Sequence, residues 1–191
     1  MKKIVLLMTL CLALIGQAHA QRYLPGQKGL QFTASAVDGF NLEKGDKQAF
    51  SGGIALSTYT KSGNRWVFGG EYLQKSYQYK TELIPTLQFT LEGGYYYKFL
   101  SNPGKTFFFS VGTSAMAGYE TVNWGESLLF DGSTITSDDS FLYGGAVTFE
   151  IETFLSDRIV LLLNVRERIL GGSSISLFHT EIGAGLKFII N

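Results

Sequence analysis

Cysteine is nearly absent: the chain has one, Cys11. It lies in an apolar leader and follows Leu10, where a lipid-attachment signal has a small residue. It is therefore expected to leave with the leader, so the rest of the chain has no disulfide chemistry. Proline is scarce, at three residues, so little interrupts extended pairing. Of two histidines only His179 lies beyond the leader, which excludes a metal site built from histidine and cysteine. No cofactor is expected, because no glycine loop with phosphate-cradling spacing opens a helix. Basic and acidic side chains number 16 each, and loss of Lys2 and Lys3 tips the balance acidic. That excludes the basic patch of a protein that binds nucleic acid directly. Beyond residue 20 no apolar run reaches the roughly 18 residues of a membrane-spanning helix.

What is present starts with an address. Lys2-Lys3 precede a 12-residue apolar run, residues 4–15, and Ala18-His19-Ala20 forms a small-x-small cleavage site. Residues 1–20 read as a secretory signal peptide cleaved after Ala20. Residues 21–28 read as a short periplasmic lead-in, and residues 29–191 as one domain.

The organising stretch of that domain is residues 87–119, LQFTLEGGYYYKFLSNPGKTFFFSVGTSAMAGY. Its first limb puts Leu87, Phe89, Leu91, Tyr95, Tyr97 and Phe99 on one face, and Gln88, Thr90, Glu92 and Lys98 on the other. Its second limb puts Phe107, Phe109, Val111, Ala115, Ala117 and Tyr119 on one face. Such alternation outlasts an ordinary sheet strand. A tilted membrane strand needs about 9–11 residues to cross the hydrocarbon.

Eight alternating segments follow one another at 29–37, 50–60, 65–77, 85–100, 106–119, 141–155, 158–169 and 177–190. Their connections alternate in length. Lys61-Ser62-Gly63-Asn64, residues 101–105 and Ser156-Asp157 are short; residues 38–49, 78–84, 120–140 and 170–176 are longer. Short periplasmic turns and longer extracellular loops mark outer-membrane barrels. The predicted fold is all-β: an eight-stranded antiparallel up-and-down transmembrane barrel of outer-membrane type, placed in the cell outer membrane against lipid.

The faces agree. Lipid-facing candidates include Trp66, Phe68 and Tyr72; Phe141, Tyr143, Val147, Phe149 and Ile151; Ile159, Leu161, Leu163 and Val165; and Ile182, Leu186, Phe188 and Ile190. The opposite face gathers Glu71, Lys75, Glu92, Lys98, Glu150, Glu152, Asn164, Arg166, Arg168, Glu181 and Lys187. An eight-stranded interior is just wide enough for its own side chains, so these charges read as a structural lumen network. Glu167 is the outward exception, near a strand end where lipid exposure costs less. Aromatics form two expected girdles. Trp66, Phe68, Tyr95-Tyr96-Tyr97, Phe99, Phe107-Phe108-Phe109 and Phe188 lie toward the short turns. Tyr72, Tyr77, Tyr119, Phe141 and Tyr143 lie toward the long loops. Parity adds a register rule for the 87–119 hairpin. An even number of residues between its last pair requires a bulge in one limb.

Two site candidates remain. His179 sits two residues before Glu181 near Ser173, Ser174 and Ser176, so a hydrolase triad is conceivable. The favoured reading is a rim hydrogen-bonder and no enzyme, with no catalytic, cofactor-binding or metal residue. The 120–140 loop carries Trp124, Leu128, Leu129 and Phe130 beside Asp131, Asp138 and Asp139. Exposed apolar residues of that kind mark a partner site; the plainer reading is a hairpin continuing strands five and six and turning at Asp131-Gly132.

Four segments carry a resemblance: QRYLPGQKG at 21–29, FLSNPGKTFFFSVG at 99–112, DRIVLLLNVRERILGGSS at 157–174 and GLKFIIN at 185–191. They resemble the conjugative transposon TraO family over nearly all of the chain beyond the leader. LPGQKG and RERILGGSS are the more particular pieces. The resemblance implies an outer-membrane component of a conjugative DNA-transfer apparatus that anchors or organises partner subunits, with other apparatus proteins as partners. It brings no catalytic residues. The alternatives are a structural, porin-like or adhesin-like barrel unrelated to conjugation, and less favoured, a barrel hydrolase.

Overall fold

The computed structural model describes residues 25–38, 49–80, 82–135, 139–174 and 176–190. The expected signal peptide, residues 1–20, and residues 21–24 of the lead-in lie outside the described residues, as does Asp138.

Eight strands run in chain order: β1 Lys28–Val37, β2 Ala49–Tyr59, β3 Arg65–Tyr79, β4 Glu82–Ser101, β5 Phe107–Val122, β6 Ser140–Phe154, β7 Ile159–Gly171 and β8 Phe178–Ile189. Each pairs antiparallel with the next, and β1 pairs with β8 from Gly29↔Ile189 to Val37↔Glu181. The sheet is a closed up-and-down barrel, which removes every edge. The polar inside and apolar outside invert the pattern of a soluble protein. Phe32, Ile54, Phe68, Phe89, Leu91, Phe149, Leu163, Val165 and Ile182 are exposed on the outer wall. That is the surface of a transmembrane barrel.

Aromatic pairs bracket this wall. Trp66 meets Tyr95 edge-on at 4.9 Å between ring centroids, and Phe99 lies 6.5 Å from Phe109, both toward the short turns. Tyr72 lies 6.2 Å from Phe50 and 5.2 Å from Phe89 toward the long loops. Three expected girdle residues belong elsewhere. Tyr96 and Phe108 are the middle residues of their triplets, so alternation turns them inward, and both are buried. Tyr77 shares the interior parity of Glu71 and Lys75, with the Lys75 ammonium 5.8 Å from its ring.

The β4–β5 hairpin obeys the register rule. Lys98 pairs with Ser110, but Leu100 pairs with Phe109, so Phe99 is an extra residue. Six residues, 102–107, separate the last pair, Ser101↔Phe108. The bulge reconciles that even number with the facing of both limbs. The Asn102 carboxamide accepts from the Thr106 and Phe107 N–H groups at 2.8 and 2.9 Å and closes the turn.

Two connections differ from expectation. The 78–84 loop shrinks to a tight hairpin, because β3 and β4 stay paired to Tyr79↔Glu82 and Lys80 takes a left-handed φ of 53°. The β5–β6 connection is not a plain continuation of its strands. β5 runs on through Glu120 to Val122 and breaks at a 3₁₀ turn, Asn123–Gly125. A separate small hairpin follows, bridged at Leu128↔Thr134 and turning at Asp131-Gly132.

Glycine serves the interior at Gly94. A Cβ there would stand 2.8 Å from the Ser114 Cβ and 2.9 Å from the Thr113 carbonyl, so neighbouring strands approach only because it is missing.

Candidate functional site: the filled lumen and the long-loop rim

The lumen is built in tiers from the short-turn end. Its floor is apolar: Tyr59, Phe108, Phe154, Val160, Leu162 and Ile189 form one buried cluster, with Phe108 edge-on to Phe154 at 5.6 Å. Sequence alternation obscures this floor, because Ile159 to Leu163 is apolar on both parities. On the floor stands Lys187, fully buried, paired with Glu152 and 3.1 Å from the Tyr59 hydroxyl. Tyr59 donates to the same carboxylate at 2.8 Å. Arg65 pairs with Glu150 and, at 3.0 Å, with Glu152; its guanidinium lies 4.5 Å from the Tyr96 ring centroid.

The middle tier joins opposite walls. Arg166 on β7 pairs with Glu71 on β3 at 3.0 Å and with Glu92 on β4. Arg168 pairs with Glu71 at 3.1 Å and Glu181 at 3.0 Å, and donates to the Gln88 carbonyl at 3.3 Å. The guanidinium fork suits such bridging, since one group serves two carboxylates. A cavity of about 30 Å³ remains between Gln31, Glu71, Glu92, Glu150, Asn164 and Arg166.

At the long-loop rim two carboxylates are held. Glu120 is fully buried and accepts from Gln88 at 2.7 Å, Ser173 at 2.8 Å, the Ser174 N–H at 2.7 Å and the Ser174 hydroxyl at 2.5 Å. Asp38 accepts from Lys75 at 2.5 Å and faces His179 Nδ1 at 3.2 Å. A carboxylate only accepts, so Nδ1 carries the hydrogen in that contact. Burial pushes the Asp38 carboxyl up, but its hydrogen bonds to Lys75 and His179 outweigh burial and hold it below the ordinary value. Ser173 and Ser174 spend their hydroxyls on Glu120 rather than on the histidine.

All ten charges picked out by alternation lie on the interior parity. Eight of them, Glu71, Glu92, Glu150, Glu152, Arg166, Arg168, Glu181 and Lys187, fall in the two ion-paired tiers. Lys75 is at the rim, and Lys98 lies 5.8 Å from the Phe108 ring near the floor. Arg65, Glu120 and Asp38 were outside that set. Arg65 and Glu120 follow the same alternation at strand ends, which is the signal that finds them; Asp38 lies beyond its strand and carries none.

Above the rim, the β5–β6 connection leans on the β3–β4 hairpin. Lys80 bonds Asp131 at 2.5 Å, and the Tyr79 hydroxyl lies 3.2 Å from the Ser133 hydroxyl and 3.3 Å from Asp131. The bond from Lys80 holds the Asp131 carboxyl well below the usual carboxylate range. A bond from Tyr119 likewise holds Asp139 low. Trp124, Leu128 and Phe130 are exposed by 66, 68 and 56%, while Leu129 is half-buried. Asn123, Trp124 and Gly125 are all left-handed, at φ 51, 56 and 84°. The Asn123 side chain donates to the Glu126 carbonyl at 2.9 Å and fixes this unusual run.

This inverted barrel with a charge-filled interior defines a transmembrane protein of the eight-stranded outer-membrane type. Within that class the model of the family described as conjugative transposon protein TraO matches residues 24–190, and the chain belongs to that family. No curated protein matches. Among solved structures the chain is similar to Neisserial surface protein A. The TM-score is 0.58 at 15% identity, covering 85% of this chain and 97% of that one. It is also similar to Ail, the attachment invasion locus protein of Yersinia pestis, with TM-score 0.48, 13% identity, and 86 and 100% coverage.

Proposed function

We propose that this protein is a non-enzymatic outer-membrane component of a conjugative DNA-transfer apparatus that organises partner subunits. Membership of the TraO family carries this reading. The filled lumen supports it: arginines tie β7 to β3 and β4, so a single barrel has no bore for a DNA strand. The working surfaces are then the rims. In this reading residues 1–20 direct export and are cleaved after Ala20. The short turns face the periplasm and the long-loop rim faces outward. His179 serves Asp38 as a rim hydrogen-bonder.

Deletion of the gene from its mobile element, followed by mating, tests the role. Transfer falls to background and returns with the wild-type gene; undiminished transfer refutes it. Affinity purification from outer membranes in mild detergent then recovers other transfer proteins. His179→Ala leaves transfer unchanged, whereas a hydrolase would lose activity on lipid or peptide substrates.

A further inference from the structure

The long-loop rim bears an apolar platform that the barrel itself does not need. Trp124, Leu128 and Phe130 stand exposed on the β5–β6 connection, and Leu83, 51% exposed, lies on the β3–β4 hairpin that holds that connection; none packs into the lumen. The backbone beneath them is held rather than loose. The 3₁₀ turn lies against β4, the small hairpin closes at Leu128↔Thr134, and Lys80 and Tyr79 clamp its tip through Asp131 and Ser133. Trp124 sits in the left-handed region, which costs a residue with a Cβ about 1–2 kcal/mol. Strain of this kind, kept at an exposed aromatic, is a feature of binding sites.

The platform also has a sign. Glu126, between Trp124 and Leu128 in the chain, and Glu82, next to Leu83, are exposed, and among the described residues no ion pair engages either. Among the described residues at the tips of these two hairpins the cation is Lys80, and it is bonded to Asp131. A two-fold contact with a second copy would set these carboxylates against each other, which is repulsive. The turns described at the opposite end of the barrel are short.

We propose that this platform docks a protein segment of apolar and basic character: large aliphatic or aromatic side chains flanked by lysine or arginine. The inference rests on the transfer-apparatus reading and names the partner chemistry for one rim. The apolar side chains cover Trp124, Leu128 and Phe130, and the cations meet Glu82 and Glu126.

Two measurements decide it. In the first, Trp66→Phe leaves Trp124 as the sole tryptophan, and the barrel is placed in zwitterionic lipid nanodiscs. A short peptide alternating Lys with Leu and Phe gives a saturable blue shift of Trp124 emission. The same peptide with Glu for Lys gives none, and Glu82→Lys with Glu126→Lys reverses the preference. No shift with either peptide, or equal shifts with both, overturns the proposal. In the second, the Trp124→Ala, Leu128→Ala, Phe130→Ala triple variant is expressed in the deletion strain at wild-type surface level. Transfer falls roughly tenfold or more, the scale of losing one buried aromatic anchor. Wild-type transfer by this variant, where deletion abolishes transfer, overturns the docking surface and leaves the wider role intact. A deletion without effect, with the peptide shift present, refutes the role and leaves the surface standing. A disulfide-linked dimer of Leu128→Cys in membranes assigns the platform to a second copy and overturns the proposal.

Discussion

Lys187 is fully buried, and Glu152 and the Tyr59 hydroxyl surround its ammonium. A charge taken out of water needs partners that replace its hydration, and the pair is balanced only while both members stay. Lys187→Met leaves Arg65 alone to balance two buried carboxylates, Glu150 and Glu152, and Glu152→Gln leaves Glu150 alone to balance two buried cations. Each single change is expected to lose about 3–5 kcal/mol, whereas Lys187→Met with Glu152→Met loses much less. Urea unfolding of the folded barrel in lipid vesicles measures all three. Single variants within a fraction of 1 kcal/mol of wild type refute a buried pair here. A contrasting substitution lies on the outer wall, where Leu163 is 45% exposed. Leu163→Arg places a charge against lipid and costs roughly 2–4 kcal/mol near the bilayer midplane. The same urea titration in vesicles reads that loss.

At the scale of elements, alternation exposes the strands because each separates lipid from lumen at every step. Glu92 and Phe89 are sorted by the sequence itself. Elements above the membrane are harder to read, since no lipid enforces a period there. The extended β3–β4 hairpin depends on pairing to Tyr79↔Glu82, and the small 127–135 hairpin depends on contacts with that neighbour. The lumen floor is hidden for another reason: Val160 and Leu162 are as apolar as Leu161 and Leu163. The bulge at Phe99 was legible only as a condition on loop length. It makes a sharp expectation. Deleting Phe99 removes the extra residue, leaves all other facings unchanged and yields a heat-modifiable barrel on gels. Deleting Phe89 instead moves Gln88 toward lipid and prevents that folded form. The two rim hairpins respond to pH through Asp131. Its folded value lies below the unfolded one, so the contact with Lys80 contributes above the unfolded carboxylate range and is lost only as pH falls through the folded value. NMR of the Asp131 carboxyl is expected to titrate below about 3.9, the free aspartate value. A midpoint at or above that value removes the clamp.

For the whole molecule the question is whether the barrel conducts. Eight strands leave an interior that side chains fill. Here the filling has three layers. The ion-paired tiers join opposite walls, and the apolar floor of Tyr59, Phe108, Phe154, Val160, Leu162 and Ile189 closes the short-turn end. The cavity of about 30 Å³ between the paired charges has room for about one water, and the ion pairs around it interrupt a file of hydrated ions. Purified wild-type barrel in a planar bilayer is therefore expected to show no steady conductance steps. Opening one layer is not sufficient: Arg166→Ala loosens the middle tier above an intact floor and stays silent. Combining Arg166→Ala with Phe108→Ala and Phe154→Ala still leaves the Arg65–Glu150–Glu152–Lys187 tier and the Arg168 bridge in place and is expected to stay silent too. Wild-type conductance would mean that the lumen is a pathway, and the proposed division of labour, with closed wall and working rim, would fail. Silence from the wild type together with loss of transfer on changing the rim places the function at the rim rather than in the lumen.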